Sequence, residues 1–172
     1  MGRWGHRLFE VDHDIGIALE VIQDFCKGTR SLGWTTTPSK KLNSGLGEQL
    51  LQKYRLDEGG RSSFAAGDNH HEVIMFGATM MLVGATIKEN DIRHLRELVP
   101  VVKCNDLLTN LTEGDGCFRG HGKRQYLAPL DNYQPGLSRD FGKPSCHACG
   151  RTHVDGKDIE RCGGCHNKMG AA

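Results

Sequence analysis

The sequence predicts a mainly α fold, a small helical bundle over residues 1–136 followed by a short cysteine-rich segment over 137–172. Three observations lead there. Apolar residues recur at three- and four-residue intervals in several stretches, as on one face of a helix. The most apolar stretch, Val73 to Ile87, falls short of the roughly 18 to 20 residues that span a bilayer and reads as a buried helix. Four of the seven cysteines gather into two CxxC pairs near the end of the chain. A length of 172 residues accommodates one ordinary domain and a small appendage. With 37% apolar residues, 6% aromatics, 23 glycines and a mean hydropathy of -0.48, the core should be modest and the loops extensive.

Asp12 or Asp14 can cap a first helix beginning near Ile15, with Ile15, Leu19 and Ile22, flanked by Ala18 and Phe25, as its apolar face and Gly28 as its end. Residues 28–43, including Thr35-Thr36-Thr37-Pro38-Ser39 and the pair Lys40-Lys41, lack periodicity and read as a loop. A second helix is expected from about Ser44 to Leu56, with Leu46, Leu50 and Tyr54 on one side. Asp57 to Asn69 is a further break, and His70 to Ile87 should be the central helix, apolar on nearly all sides. Within it Gly77, Ala78, Gly84 and Ala85 allow close approach of a neighbour. Asn90 is the expected cap of a short helix carrying Ile92, Leu95, Leu98 and Val99, which Pro100 stops. After a polar stretch over 103–122, Lys123 to Tyr133 forms one more helix, bent or broken at Pro129, and Gln134-Pro135-Gly136 closes the helical part.

Lys and Arg number 22 against 21 Asp and Glu, a formal charge of +1, and no block of like charge stands out. The clustered positive charge that carries non-specific nucleic-acid affinity is therefore missing, and a nucleic-acid partner is not expected. Met1-Gly2-Arg3-Trp4-Gly5-His6 has neither the apolar core of a signal peptide nor the pattern of a myristoylation site. Neither export nor membrane association is expected, and seven cysteines cannot all pair within one chain. CxxC pairs in such a chain point to metal ligation in a reducing compartment, the cytosol or nucleus.

The segment reads Cys146-His147-Ala148-Cys149-Gly150, then, after a polar turn ending in Glu160-Arg161, Cys162-Gly163-Gly164-Cys165-His166. Two residues between cysteines make a tight knuckle that aims both thiolates at one ion, and nearby glycines let backbone N–H groups turn toward sulfur. Two knuckles supply four soft ligands, enough for a closed tetrahedral zinc site with Zn–S distances of about 2.3 Å. A redox dithiol would instead sit at a helix start in an α/β pattern, which is not visible here. Surface disulfides are the other alternative.

These residues resemble the opening of a MYND-type zinc finger. Cys146, Cys149, Cys162 and Cys165 match that family's first two ligand pairs, Gly150 the glycine after the first pair and Arg161 the basic residue before the second. The match covers about twenty residues. The region from Val73 to Val99 also looks like the amino-terminal part of uncharacterised fungal MYND-finger proteins. In the family a third and fourth pair follow, pair one sharing a zinc with pair three and pair two with pair four. Here the sequence continues only through His166-Asn167-Lys168-Met169-Gly170-Ala171-Ala172, as in a truncated form. The local chemistry favours one Zn2+ held by all four cysteines, with His166 or His147 as a substitute ligand.

The expected function is that of a non-catalytic, zinc-binding protein that contacts a protein partner through this partial finger. One alternative is a zinc-ribbon-like nucleic-acid-binding regulator, with Arg139, Lys143, Arg151, Lys157, Arg161 and Lys168 on phosphate and Asp140, Asp155, Asp158 and Glu160 offsetting them. Another is a remnant of a MYND-associated methyltransferase, although segments for the methyl donor are not recognisable. Elsewhere, His70-His71-Glu72 reads as a solvated helix start, His94 as a surface residue, Asp12-His13-Asp14 as capping, and Cys26, Cys104 and Cys117 as structural thiols. Gly114-Asp115-Gly116 with Gly120 and Gly122 reads as a loop.

Overall fold

A computed structural model describes residues 8–9, 12–26, 37–56, 58, 70–102, 120–143, 145–146 and 150–152. Among the described residues the regular structure is helical and contains no strand: α1 (Asp12–Cys26), α2 (Thr37–Lys41), a π-helical turn (Leu42–Leu46), α3 (Gly47–Leu56), α4 (His70–Leu82), α5 (Glu89–Leu98) and α6 (Gly120–Asp131).

The centre is α4, which packs against α1, α3 and α5, while α6 leans on α5. Val73, Ile74, Met75, Phe76, Ala78, Met80 and Met81 are all buried, as an all-round apolar helix requires. The helix stops at Leu82, five residues before Ile87, for a local reason. Gly84 adopts φ +68°, its N–H donates to the Met81 carbonyl (3.1 Å), and the Ala85 N–H donates to that of Met80 (2.9 Å). This is a Schellman termination, which the left-handed glycine makes possible. Residues 85–88 then run without regular structure, with Ala85 and Ile87 buried. They are held by Tyr133, whose Oη accepts from the Ile87 N–H (2.6 Å) and donates to the Ala85 carbonyl (2.9 Å).

Gly77 is where three helices meet. A Cβ there would lie 2.5 Å from the Oη of Tyr126 on α6 and 2.8 Å from a methyl of Leu95 on α5. Tyr126 is fully buried, and burial pushes its phenol pKa far above the ordinary value. We expect Gly77→Ala to destabilise the fold by about 1–3 kcal/mol, because overpacking outweighs a helix-propensity gain of about 1 kcal/mol. Urea denaturation should show a lowered midpoint at constant slope; an unchanged midpoint would contradict this packing.

Several elements differ from expectation. On α1 the inward residues are Asp14, Ile17 and Val21, whereas Ile15 and Leu19 are 44% and 52% exposed. Two carboxylates decide the rotation: Asp14 bonds to His71 of α4, and Asp24 accepts from Tyr54 of α3 (3.2 Å) and pairs with Lys53. Part of the expected loop is helical, since Thr37-Pro38 opens α2, a first-turn position where proline's missing N–H does no harm. Gly45, at φ +107°, interrupts the π-helical turn, and α3 begins afresh at Gly47. Residues 28–36 lie outside the described residues. The cap of α5 is Lys88, whose carbonyl accepts from the N–H groups of Asp91 and Ile92, both at 2.9 Å; Asn90 is exposed inside the helix. Glu89 and Asp91 favour that end through the helix dipole. Pro129 sits within the last turns of α6, which continues to Asp131.

Past Gly136 the chain turns back over the helices. Ser138 Oγ donates to the Leu82 carbonyl, and the Arg139 N–H donates to that of Met81 (3.0 Å). Phe141 is buried, its ring 5.8 Å from that of Phe9. None of the helices among the described residues is long and apolar enough to cross a membrane.

Candidate metal-binding segment and its seat on the helices

Of the four cysteines expected to bind zinc, Cys146 lies within the described residues; Cys149, Cys162 and Cys165 lie outside them, as do His147, Arg161 and His166. Cys146 is only 3% exposed. Its N–H donates to the Arg151 carbonyl (2.8 Å), and its own carbonyl accepts from the Gly150 N–H (2.7 Å). Cys146 is thereby tied by backbone bonds to Gly150 and Arg151, the residues that follow the first CxxC motif. Gly150 has φ +74°, a conformation open to glycine at little cost.

That glycine has a second role. A Cβ on Gly150 would lie 2.0 Å from the carbonyl oxygen of Arg124, 2.1 Å from its carbon and 2.5 Å from the nitrogen of Gln125. The turn after the cysteine pair is seated backbone to backbone on α6. The next side chain along α6, Gln125, is 1% exposed and fully engaged at both ends. Its Oε1 accepts from the Leu8 N–H (3.1 Å), and its Nε2 donates to the Phe141 carbonyl (2.6 Å). Gln125 had no visible signal in the sequence, because a single glutamine in a helical stretch belongs to no motif and one partner is 117 residues away.

Three histidines, His70, His71 and His94, meet carboxylates from other parts of the chain. His71 Nε2 lies 2.8 Å from Asp14 Oδ1, both side chains nearly buried, and Asp14 Oδ2 accepts from the Phe9 N–H (3.2 Å). Asp14 is thus an interior tie between α1, α4 and the preceding chain, and His71 faces inward instead of solvent. His94 of α5 contacts Glu58 Oε2 at 2.8 Å, and His70 of α4 lies 3.7 Å from Glu58 Oε1. Among the described residues no group of three or more His, Cys, Asp or Glu side chains is arranged to hold a metal ion. Asp14→Ala removes both of its hydrogen bonds and should cost about 1–3 kcal/mol. In a double-mutant cycle of thermal or urea melts with His71→Leu, the pair should cost less than the sum of the single changes; strict additivity would deny the contact its role.

Of the six cations considered for phosphate contact, Arg139 is buried and donates from Nη2 to the Asn132 carbonyl (2.7 Å). It is committed to the fold. Lys143 and Arg151 are exposed, and Lys157, Arg161 and Lys168 lie outside the described residues. Cys26 closes α1, while Cys104, Cys117 and Gly114-Asp115-Gly116 lie outside the described residues. No protein-family model matches this chain, and no curated protein or solved structure matches it either.

Proposed function

We propose that this chain is a non-catalytic zinc protein, in which Cys146, Cys149, Cys162 and Cys165 hold one Zn2+ and the cysteine-rich segment so ordered contacts a protein partner. The observation that carries the reading is the donor set: four thiols in two CxxC pairs within twenty residues, each pair beside glycine. The backbone bonds that join Cys146 to Gly150 and Arg151 suit a knuckle of this kind. Zinc in such a set cross-links the chain and keeps no open coordination position for chemistry. The resemblance to the first half of a MYND-type finger supports contact with protein, as does the near-neutral charge. Commitment of Arg139 to a backbone carbonyl weakens the nucleic-acid alternative. Thiolate ligands of this type persist in reducing compartments, so the cytosol or nucleus belongs to the same proposal.

The test is a pull-down with the full chain, zinc-loaded, beside a variant carrying Cys162→Ser and Cys165→Ser. Proteins retained by the zinc form and lost with the variant are expected. Equal recovery from both forms would overturn the role of the segment.

A further inference from the structure

We infer that the zinc proposed above is a folding element of the helical body, and that the cysteine segment is not an autonomous finger on a tether. The inference rests on the zinc reading and goes beyond it. An autonomous finger would be joined through exposed, loosely held chain. The connecting chain is anchored at intervals instead: Arg139, Phe141, Ser145 and Cys146 are buried between exposed Ser138, Asp140, Gly142 and Lys143, and the Arg139 N–H and Ser138 Oγ are bonded to the end of α4. The seat of Gly150 on Arg124 and Gln125 is too close to admit a methyl group.

From that seat the contacts lead inward. Gln125 ties α6 to Leu8 and to Phe141; the Phe9 and Phe141 rings meet tilted, with centroids 5.8 Å apart; Phe9 bonds to Asp14, and Asp14 to His71 at the centre of the fold. Closing the Cys146–Arg151 turn and seating it on α6 are thus parts of one packing arrangement. A metal that fixes Cys146 against the other thiolates favours the seated turn, and by reciprocity the seated turn raises metal affinity.

The experiment compares the full chain zinc-loaded, the same chain stripped by chelator, and the Cys162→Ser/Cys165→Ser variant in zinc. Metal content, the melt of the helical circular-dichroism signal and amide exchange along α6 are read for each. We expect stripping to lower the melting temperature by on the order of 10 °C and to speed α6 exchange at least about tenfold. The double variant should behave as the stripped chain, since it removes two ligands and leaves Gly150, Arg124 and Gln125 unchanged. If zinc binds one per chain and its removal leaves both the melt and α6 exchange unchanged, the finger is autonomous: this inference fails and the zinc reading stands. If the reduced chain takes up no zinc, both fail.

Discussion

Phe76→Asp should leave the chain without a cooperative thermal transition. Phe76 is buried in the middle of α4, with its ring centroid 5.4 Å from that of Tyr54, and Ile74, Met75 and Met80 are buried around it. Losing a buried aromatic already costs about 3–5 kcal/mol, and a carboxyl group in its place adds several more through desolvation. Against a total stability of about 5–15 kcal/mol, that sum removes most or all of the folded population. Leu56→Asp is the control, since Leu56 is 87% exposed at the end of α3 and should shift stability by no more than about 0.5 kcal/mol. Circular-dichroism melts of the two variants check the assignment. A cooperative melt for Phe76→Asp within a few degrees of the parent would contradict the central place of α4.

Gly150→Ala is expected to cost at least about 3 kcal/mol. A left-handed backbone costs an alanine about 1–2 kcal/mol. The larger part comes from the contact, because the added carbon would meet the Arg124 carbonyl oxygen at 2.0 Å and that backbone atom cannot rotate aside. Either the segment lifts from α6 or α6 distorts. Gly136→Ala separates the two contributions: Gly136 has φ +84° with nothing within 4 Å of the added carbon, so it bears the conformational cost alone. Urea melts should therefore place Gly150→Ala well below Gly136→Ala. Equal losses would mean that the seat on α6 contributes nothing.

What could be read from the sequence follows from how local the determining interaction is. The core position of α4 was legible because its own residues are apolar on every side. Its end at Leu82 turns on left-handed Gly84; the close approach of a neighbour expected there is made by the backbone of Gly136 and Ser138, whereas the positive φ that ends the helix is not announced by any motif. Counting apolar residues on α1 favours the face of Ile15 and Leu19, whereas the inward face carries Ile17 and Val21 together with Asp14 and Asp24, whose partners lie on α4 and α3. Apolar periodicity has no term for a carboxylate that is buried because a histidine meets it. The cap of α5 lies two residues before Asn90, since Lys88 serves through its backbone carbonyl and not its side chain. At the candidate site the ligand spacing was plain, and so was the need for a glycine after the first pair. The second demand on Gly150, contact with a helix more than twenty residues earlier, was not readable from the motif.

Metal content together with cobalt substitution decides whether Cys146, Cys149, Cys162 and Cys165 hold the single zinc proposed for them. In a closed four-thiolate site the binding free energy of small zinc peptides, about 10–16 kcal/mol, far exceeds what two open two-thiolate sites offer, and closing the short loop between the pairs costs little. The reduced full chain should carry one zinc, and cobalt in its place should show the intense visible bands of tetrahedral coordination with sulfur-to-metal charge transfer. Both should vanish in the Cys162→Ser/Cys165→Ser variant. No metal, two metals per chain, or one metal retained by that variant would rule out the single four-thiolate site.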